Sequence, residues 1–198
     1  MSFYSISPFI KEYYPEYYTM HQYPKDMCVA FNKVADQWGI FSNFANTPII
    51  YNGVEYKSAE QLFQCLKFVD EEARNAVYVS NNPKMTAKHW EKTHRREDWG
   101  AIVLDVMKFC LQLKYEQSDD FRDALTLSKG KIIVEDETSR KTTRTGRIKD
   151  ADTWGVVLVD NIFVGSNLMG RLLMELRDNG GLTYHLPNQL SIRISLNY

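Results

Sequence analysis

Apolar residues recur at helical spacing most strongly between Asp98 and Lys114. There Trp99, Ile102, Val103, Val106, Cys110 and Leu113 share one face and predict a central core helix. A second stripe, Leu168, Leu172, Leu173 and Leu176, predicts a helix over Asn167 to Arg177 that Gly180-Gly181 stops. A third helix is predicted to start at Ser58 and run through Phe68, with the Ser58 hydroxyl capping its first turn and Gln61 answering in capping-box fashion. Asn82-Pro83 marks a fourth start, a cap residue followed by proline at the first helical position, so Lys84 to Trp90 is predicted helical. The strand-like runs are short: Met27 to Phe31, Lys131 to Glu135 and Val156 to Val159. Pro48 to Tyr51 and Val54 to Tyr56 flank Asn52-Gly53 and predict a hairpin, because that dipeptide favours positive φ at both turn positions. The sum is an α+β chain, mainly helical, with a small β portion and no internal repeat.

Polar residues change the picture first on the helix from Ser58. At about 100° per residue, Glu60, Gln64 and Lys67 fall in one narrow sector beside the apolar stripe of Ala59, Leu62, Phe63 and Leu66. A carboxylate, an amide and an amine in register suit a polar row lining a cleft. The spacing fits a solvated face of an ordinary amphipathic helix equally well. Asp152-Thr153-Trp154-Gly155 offers a second carboxylate beside an aromatic, and Gly165-Ser166-Asn167 places an asparagine where it caps a helix or fixes a ligand.

At 198 residues and 44% hydrophobic content the chain can bury one full-sized core, which supports a single globular domain. The net charge of −1 gives no bulk attraction to nucleic acid or an anionic membrane, so an anionic ligand must be held locally. The local candidate is 139–149, read as a loop, where Arg140, Lys141, Arg144, Arg147 and Lys149 occur without an acidic residue. It serves either as a solvated surface or as a contact to phosphates of a nucleic acid or pyrophosphate. Residues 1–26 form an extension dense in tyrosine (Tyr4, Tyr13, Tyr14, Tyr17, Tyr18, Tyr23), either a packing cover or a stacking surface for a partner or base. Residues 181–198 are read as a C-terminal tail. Cys28, Cys65 and Cys110 lack C-x-x-C spacing, which argues against a disulfide framework or structural zinc and points to a reducing, cytoplasmic compartment. Met1 to Tyr23 lacks the continuous apolar run of a signal peptide or membrane span, so no membrane association is expected.

The order of the pieces is more specific than any one of them. Phe41-Ser42-Asn43-Phe44, the E-x-x-F-Q-x-x-K-F run from Glu60 to Phe68, and Arg96-Glu97-Asp98-Trp99 come first. Met107, Lys114-Tyr115 and Val134-Glu135 follow, then Asp152 to Gly155, then the G-x-N-x-M-G-x-x-L-M-E-x-R run from Gly165 to Arg177. Together they resemble the NADAR (YbiA-like) family across about residues 30–178, within a catalytic domain read as 27–180.

The resemblance implies a compact, mainly helical domain and an N-glycosidase without metal or other cofactor. Family members hydrolyse early riboflavin-pathway intermediates or remove ADP-ribose from the amino group of guanine. Some of the latter are antitoxins, which makes a DNA ADP-ribosyltransferase toxin a candidate partner. Carried onto this chain, the functional carboxylates are Glu60 and Asp152 and the functional tryptophans Trp99 and Trp154. Lys67 is a candidate Schiff-base amine, or else a residue that pairs with Glu60 or binds phosphate. Ser42, Asn43, Gln64, Arg96, Gly155 and Asn167 are candidate substrate contacts, and Arg140, Lys141, Arg144 and Arg147 candidate phosphate contacts; Arg96 paired to Glu97 or Asp98 is the structural alternative. ADP-ribosylated guanine, in nucleic acid or as a nucleotide, is the expected substrate. A riboflavin-pathway phosphoribosylamino-pyrimidine, and a non-catalytic module binding ADP-ribose or NAD, are the alternatives. The stretch between Glu135 and Asp152 is longer and more basic than the family pattern, and Leu125 to Ser128 follows its threonine-glycine turn only loosely.

Overall fold

The computed structural model describes residues 7–187 and 190. Tyr4 of the tyrosine-rich leader and most of the C-terminal tail lie outside them. The elements, in chain order, are α1 (Ser7–Tyr13), β1 (His21–Pro24), β2 (Cys28–Phe31), β3 (Ile49–Tyr51), β4 (Val54–Tyr56), α2 (Ala59–Leu66) and α3 (Glu71–Val79). They continue with α4 (Pro83–His94), α5 (Trp99–Gln117), α6 (Asp119–Leu127), β5 (Ile132–Glu135), α7 (Thr138–Lys141), β6 (Val157–Val159), β7 (Ile162–Gly165) and α8 (Leu168–Asn179). The fold is α+β and mainly helical, as the pattern predicts. No described helix is long and apolar enough to cross a membrane.

The described residues form two compact units, 7–42 with 120–182, and 43–119 with 183–187 and 190. In the first, β1, β7 and β6 form an antiparallel sheet in that order, and β2 pairs β5 in parallel. Val134, Val156 and Phe163 sit at the centre of its core, with Tyr23, Ala30, Ile132 and Leu158 against them. Helix α8 packs on β5. The tyrosine-rich leader is built into this unit: β1 is an edge strand, and Tyr17 donates to Glu175 of α8 at 3.1 Å while Arg171 lies over the Tyr17 ring. Those contacts favour the packing role over a free stacking surface.

In the second unit α2, α3 and α4 pack on one another, and α5 packs on α2 and on the β3–β4 hairpin. The hairpin turn forms as the sequence dictates, with Asn52 at φ 51° and Gly53 at φ 76°. Ser58 Oγ accepts the Gln61 N–H at 3.2 Å and caps α2. The reciprocal half of the capping box does not form, because Gln61 Oε1 takes the Lys57 N–H at 2.7 Å and its amide donates to Tyr78. Helix α2 also stops at Leu66, short of the predicted Phe68, since Phe68 leaves the helix to bridge Arg95. Asn82 Oδ1 caps α4, which outruns its predicted end by one turn. On α5 the predicted core residue Leu113 is only half-buried, and its neighbour Lys114 is fully enclosed instead.

Candidate functional site

In the second unit the polar row of α2 is buried. Every residue of α2 is enclosed, and Glu60, Gln64 and Lys67 are 6%, 5% and 8% exposed. The solvated-face reading of this row is therefore wrong: the hairpin, α3, α4 and α5 surround it. Glu60 is anchored by its own N–H, which donates to the Asn43 carbonyl at 2.9 Å, and its Oε1 accepts from Gln64 Nε2 at 2.8 Å. Asn43 donates its side-chain amide to the Met107 sulfur. That leaves Asn43 Oδ1 and Gln64 Oε1 as buried acceptors with no hydrogen-bond partner among the described residues. Such atoms are rare in folded chains and call for a ligand or a functional reason.

Lys67, at the C-cap of α2, holds its ammonium 3.6 Å from Glu91 and 5.6 Å from the centre of the Trp99 ring. Burial pushes its pKa down from 10.5, against the pull of Glu91 and then of Glu60. Trp99 opens α5, is buried, and packs at 5.2 Å on Phe63, so it belongs to the core and to the cation-binding wall of Lys67 at once. Arg96 donates its N–H to the Lys67 carbonyl, and its guanidinium clasps the Asp98 carboxylate through two bonds of 2.5 and 2.9 Å. The structural alternative for Arg96 is thus the one observed. Glu91 escaped the sequence reading because its partner stands a whole helix away. The available signal was that it is the single acidic residue on α4, among Lys84, Lys88 and Lys92.

The first unit holds the rest. Asp152 is exposed, and its Oδ1 accepts from Lys141 Nζ at 2.6 Å. Trp154 is half-buried. The carbonyls of Thr153, Trp154 and Gly155 accept the N–H groups of Leu168, Met169 and Asn167, so the D-x-W-G turn supplies the missing acceptors at the start of α8. Asn167 is fully buried, but its side chain caps nothing: its amide donates to Ile133 at 2.8 Å and its oxygen accepts from Glu135 at 3.3 Å. Both ends of that side chain are engaged by β5. Ser42, also buried, ends a short 3-10 turn by donating its N–H to Gly39.

The basic stretch expected to be a loop over 139–149 opens instead with α7, whose Thr138 Oγ1 and backbone N–H both reach Asp136. It closes through a bridge between Thr142 and Ile148. Arg140 binds Glu135 at 2.9 Å and Glu137 at 3.3 Å, and Lys141 binds Asp152. Arg144 and Arg147 face solvent. Glu60 thus belongs to the second unit and Asp152 to the first.

The family model described as NADAR domain matches residues 30–179. The N-glycosidase YbiA of Escherichia coli strain K12 is 29% identical over 157 residues, spanning 78% of this chain and 89% of that protein. The N-glycosidase Npun_R5314 of Nostoc punctiforme is 24% identical over 157 residues, spanning 77% of this chain and 92% of its own length. An NMR structure of Escherichia coli YbiA superposes with a TM-score of 0.60 at 29% identity, covering 78% of this chain and 84% of that one.

Proposed function

This chain belongs to the NADAR family, and from that premise we propose that it is an N-glycosidase that hydrolyses ADP-ribose from the amino group of guanine. The observation that carries the chemistry is the enclosed Glu60, bonded to Gln64, whose Oε1 is an unpartnered buried acceptor among the described residues, as is Oδ1 of Asn43, whose carbonyl takes the Glu60 N–H. A ribosylated amine is rich in donors, namely ribose hydroxyls and the glycosidic N–H, and such acceptors suit it.

Breaking the bond from ribose C1 to nitrogen builds positive charge on C1 and requires a proton on the departing amine. Glu60 is assigned that proton transfer: it protonates the nitrogen as the bond breaks, then takes a proton from the water that attacks C1. Asp152 enters from the family resemblance alone, as a carboxylate of the first unit that stabilises charge on a bound ribose and orients its hydroxyls. No step requires a metal. Lys67 supports a second route, in which the glycosylamine opens to an imine, the neutral amine exchanges into it with release of the guanine amine, and water then frees the sugar. Burial, which lowers its pKa, raises the neutral fraction that this route needs. A neighbouring ADP-ribosyltransferase gene would support an antitoxin role.

One observation favours the smaller riboflavin-pathway substrate. Arg140 and Lys141 are tied to acidic partners, and Arg144 and Arg147 are the remaining arginines of a segment expected to meet several phosphates. The deciding experiment offers the protein guanine-ADP-ribosylated oligonucleotide and the phosphoribosylamino-pyrimidine in parallel and follows release of the sugar by mass spectrometry. Glu60→Gln should lower turnover by roughly 10²- to 10⁴-fold while substrate still binds. Turnover equal to wild type would remove Glu60 from the chemistry, and binding without turnover by the wild type would make the protein a recognition module.

A further inference from the structure

Between β5 and the D-x-W-G turn stands a carboxylate that no step of the proposed reaction uses. Glu137 is 3% exposed. Its Oε2 accepts the backbone N–H of Asp152 at 2.7 Å, and its Oε1 accepts from Arg140 at 3.3 Å. Its backbone carbonyl accepts the Lys141 N–H at 2.9 Å, and Lys141 Nζ in turn holds Asp152 Oδ1 at 2.6 Å. Glu137, Lys141 and Asp152 therefore close a ring of three hydrogen bonds, which fixes both the backbone and the carboxylate of Asp152. The glycine of the D-x-W-G turn is explained by the same residue. A Cβ on Gly155 would meet the Glu135 carbonyl at 2.5 Å and Glu137 Cγ at 2.7 Å, so only glycine lets the turn close over the Glu137 side chain. Burial, followed by the charges of Asp152 and Glu135, raises the Glu137 pKa, while the Asp152 N–H and Arg140 pull it down. Burying this carboxylate carries a desolvation cost, which its bonds to the Asp152 N–H and to Arg140 offset.

We propose that Glu137 is a positioning residue for Asp152, setting the carboxylate that meets the ribose; this rests on the assignment of Asp152 given above. The test is a double-mutant cycle on kcat/KM with guanine-ADP-ribosylated oligonucleotide and with the phosphoribosylamino-pyrimidine, using whole protein and checking thermal midpoints. Glu137→Ala should lower kcat/KM roughly 10- to 100-fold, the range a misplaced group produces. Glu137→Gln, which keeps an acceptor for the Asp152 N–H, should recover most of that loss. Glu137→Asp keeps the buried charge but draws it back from the amide, and it should behave like the alanine variant; it replaces that variant should the latter not fold. Combined with Asp152→Asn, neither Glu137→Ala nor Glu137→Asp should add to the loss of Asp152→Asn alone. Fully multiplicative losses would assign Glu137 a merely structural role and overturn the proposal while leaving Asp152 in place. Wild-type activity in Asp152→Asn would instead remove Asp152 from the reaction, and the proposal with it.

Discussion

Lys114 lies fully buried in α5, and burial takes its pKa from 10.5 to about 7. In the unfolded chain the amine returns to its ordinary value. Between those two pH values the unfolded state binds a proton that the folded state does not, so folding stability rises with pH across the window. The contribution is fully present above 10.5 and is lost as the pH falls through about 7. One bound proton corresponds to about 1.4 kcal/mol per pH unit, and the whole window to about 5 kcal/mol as an upper bound. For a chain of this size each kcal/mol moves the midpoint by roughly 2–4 °C, so the slope is roughly 3–6 °C per pH unit. Lys114→Met keeps much of the side-chain volume and removes the titrating group. Urea or thermal unfolding of both proteins from pH 6.5 to 9.5 isolates the effect, because all other groups cancel in the difference. Wild type should gain on the variant steadily through that interval. Parallel curves would show that the amine keeps its proton inside the fold, and the argument from burial would then be refuted.

Three further outcomes follow from the two units. Glu91→Gln removes the foremost influence holding the Lys67 ammonium protonated, so the Lys67 pKa should fall further; borohydride trapping of a lysine adduct with a ribosylamine, followed against pH, should extend to lower pH than in wild type, and an unmoved profile would remove Lys67 as the trapped amine. Gly155→Ala forces a methyl group against the Glu135 carbonyl and Glu137, for which overpacking typically costs about 1–3 kcal/mol; stability and kcat/KM should drop together, and an unchanged melting midpoint would show that the turn shifts freely. Ser58→Ala deletes the α2 cap, a loss of about 1 kcal/mol; a change much smaller than that in urea unfolding would mean that tertiary packing alone holds the helix.

The long periodic segments were legible because periodicity, caps and stops agreed. The helix under Trp99 to Lys114, the Asn82 cap and the Asn52-Gly53 turn all appear where local chemistry puts them. The pattern does not predict α3, since only Ala73 and Val77 of its nine residues are buried and no apolar stripe marks it. The pattern predicts loop where α7 forms, because its four residues carry no apolar face; Glu137, Asp136 and the packing on β6 hold it. The end of α2 was missed for a non-local reason, the bridge from Phe68 to Arg95, which local propensity does not encode.

Angular spacing places Glu60, Gln64 and Lys67 in one sector but says nothing about depth. Whether such a row is a washed surface or a buried constellation depends on what packs over it, and here α3, α4, α5 and the hairpin do so from elsewhere in the sequence. Depth also separates motif residues that sequence treats alike. Asn167 and Asn43 both looked like ligand contacts. Asn167 gives both ends of its amide to β5, so its hydrogen bonds account for its presence by fold alone. Asn43 and Gln64 each keep a buried oxygen that no neighbour among the described residues satisfies. A buried acceptor left without a donor costs about 1–3 kcal/mol, which a hydroxyl or N–H of a bound substrate would relieve. That asymmetry places the weight of the glycosidase reading on the α2 row and predicts which asparagine a substrate will protect.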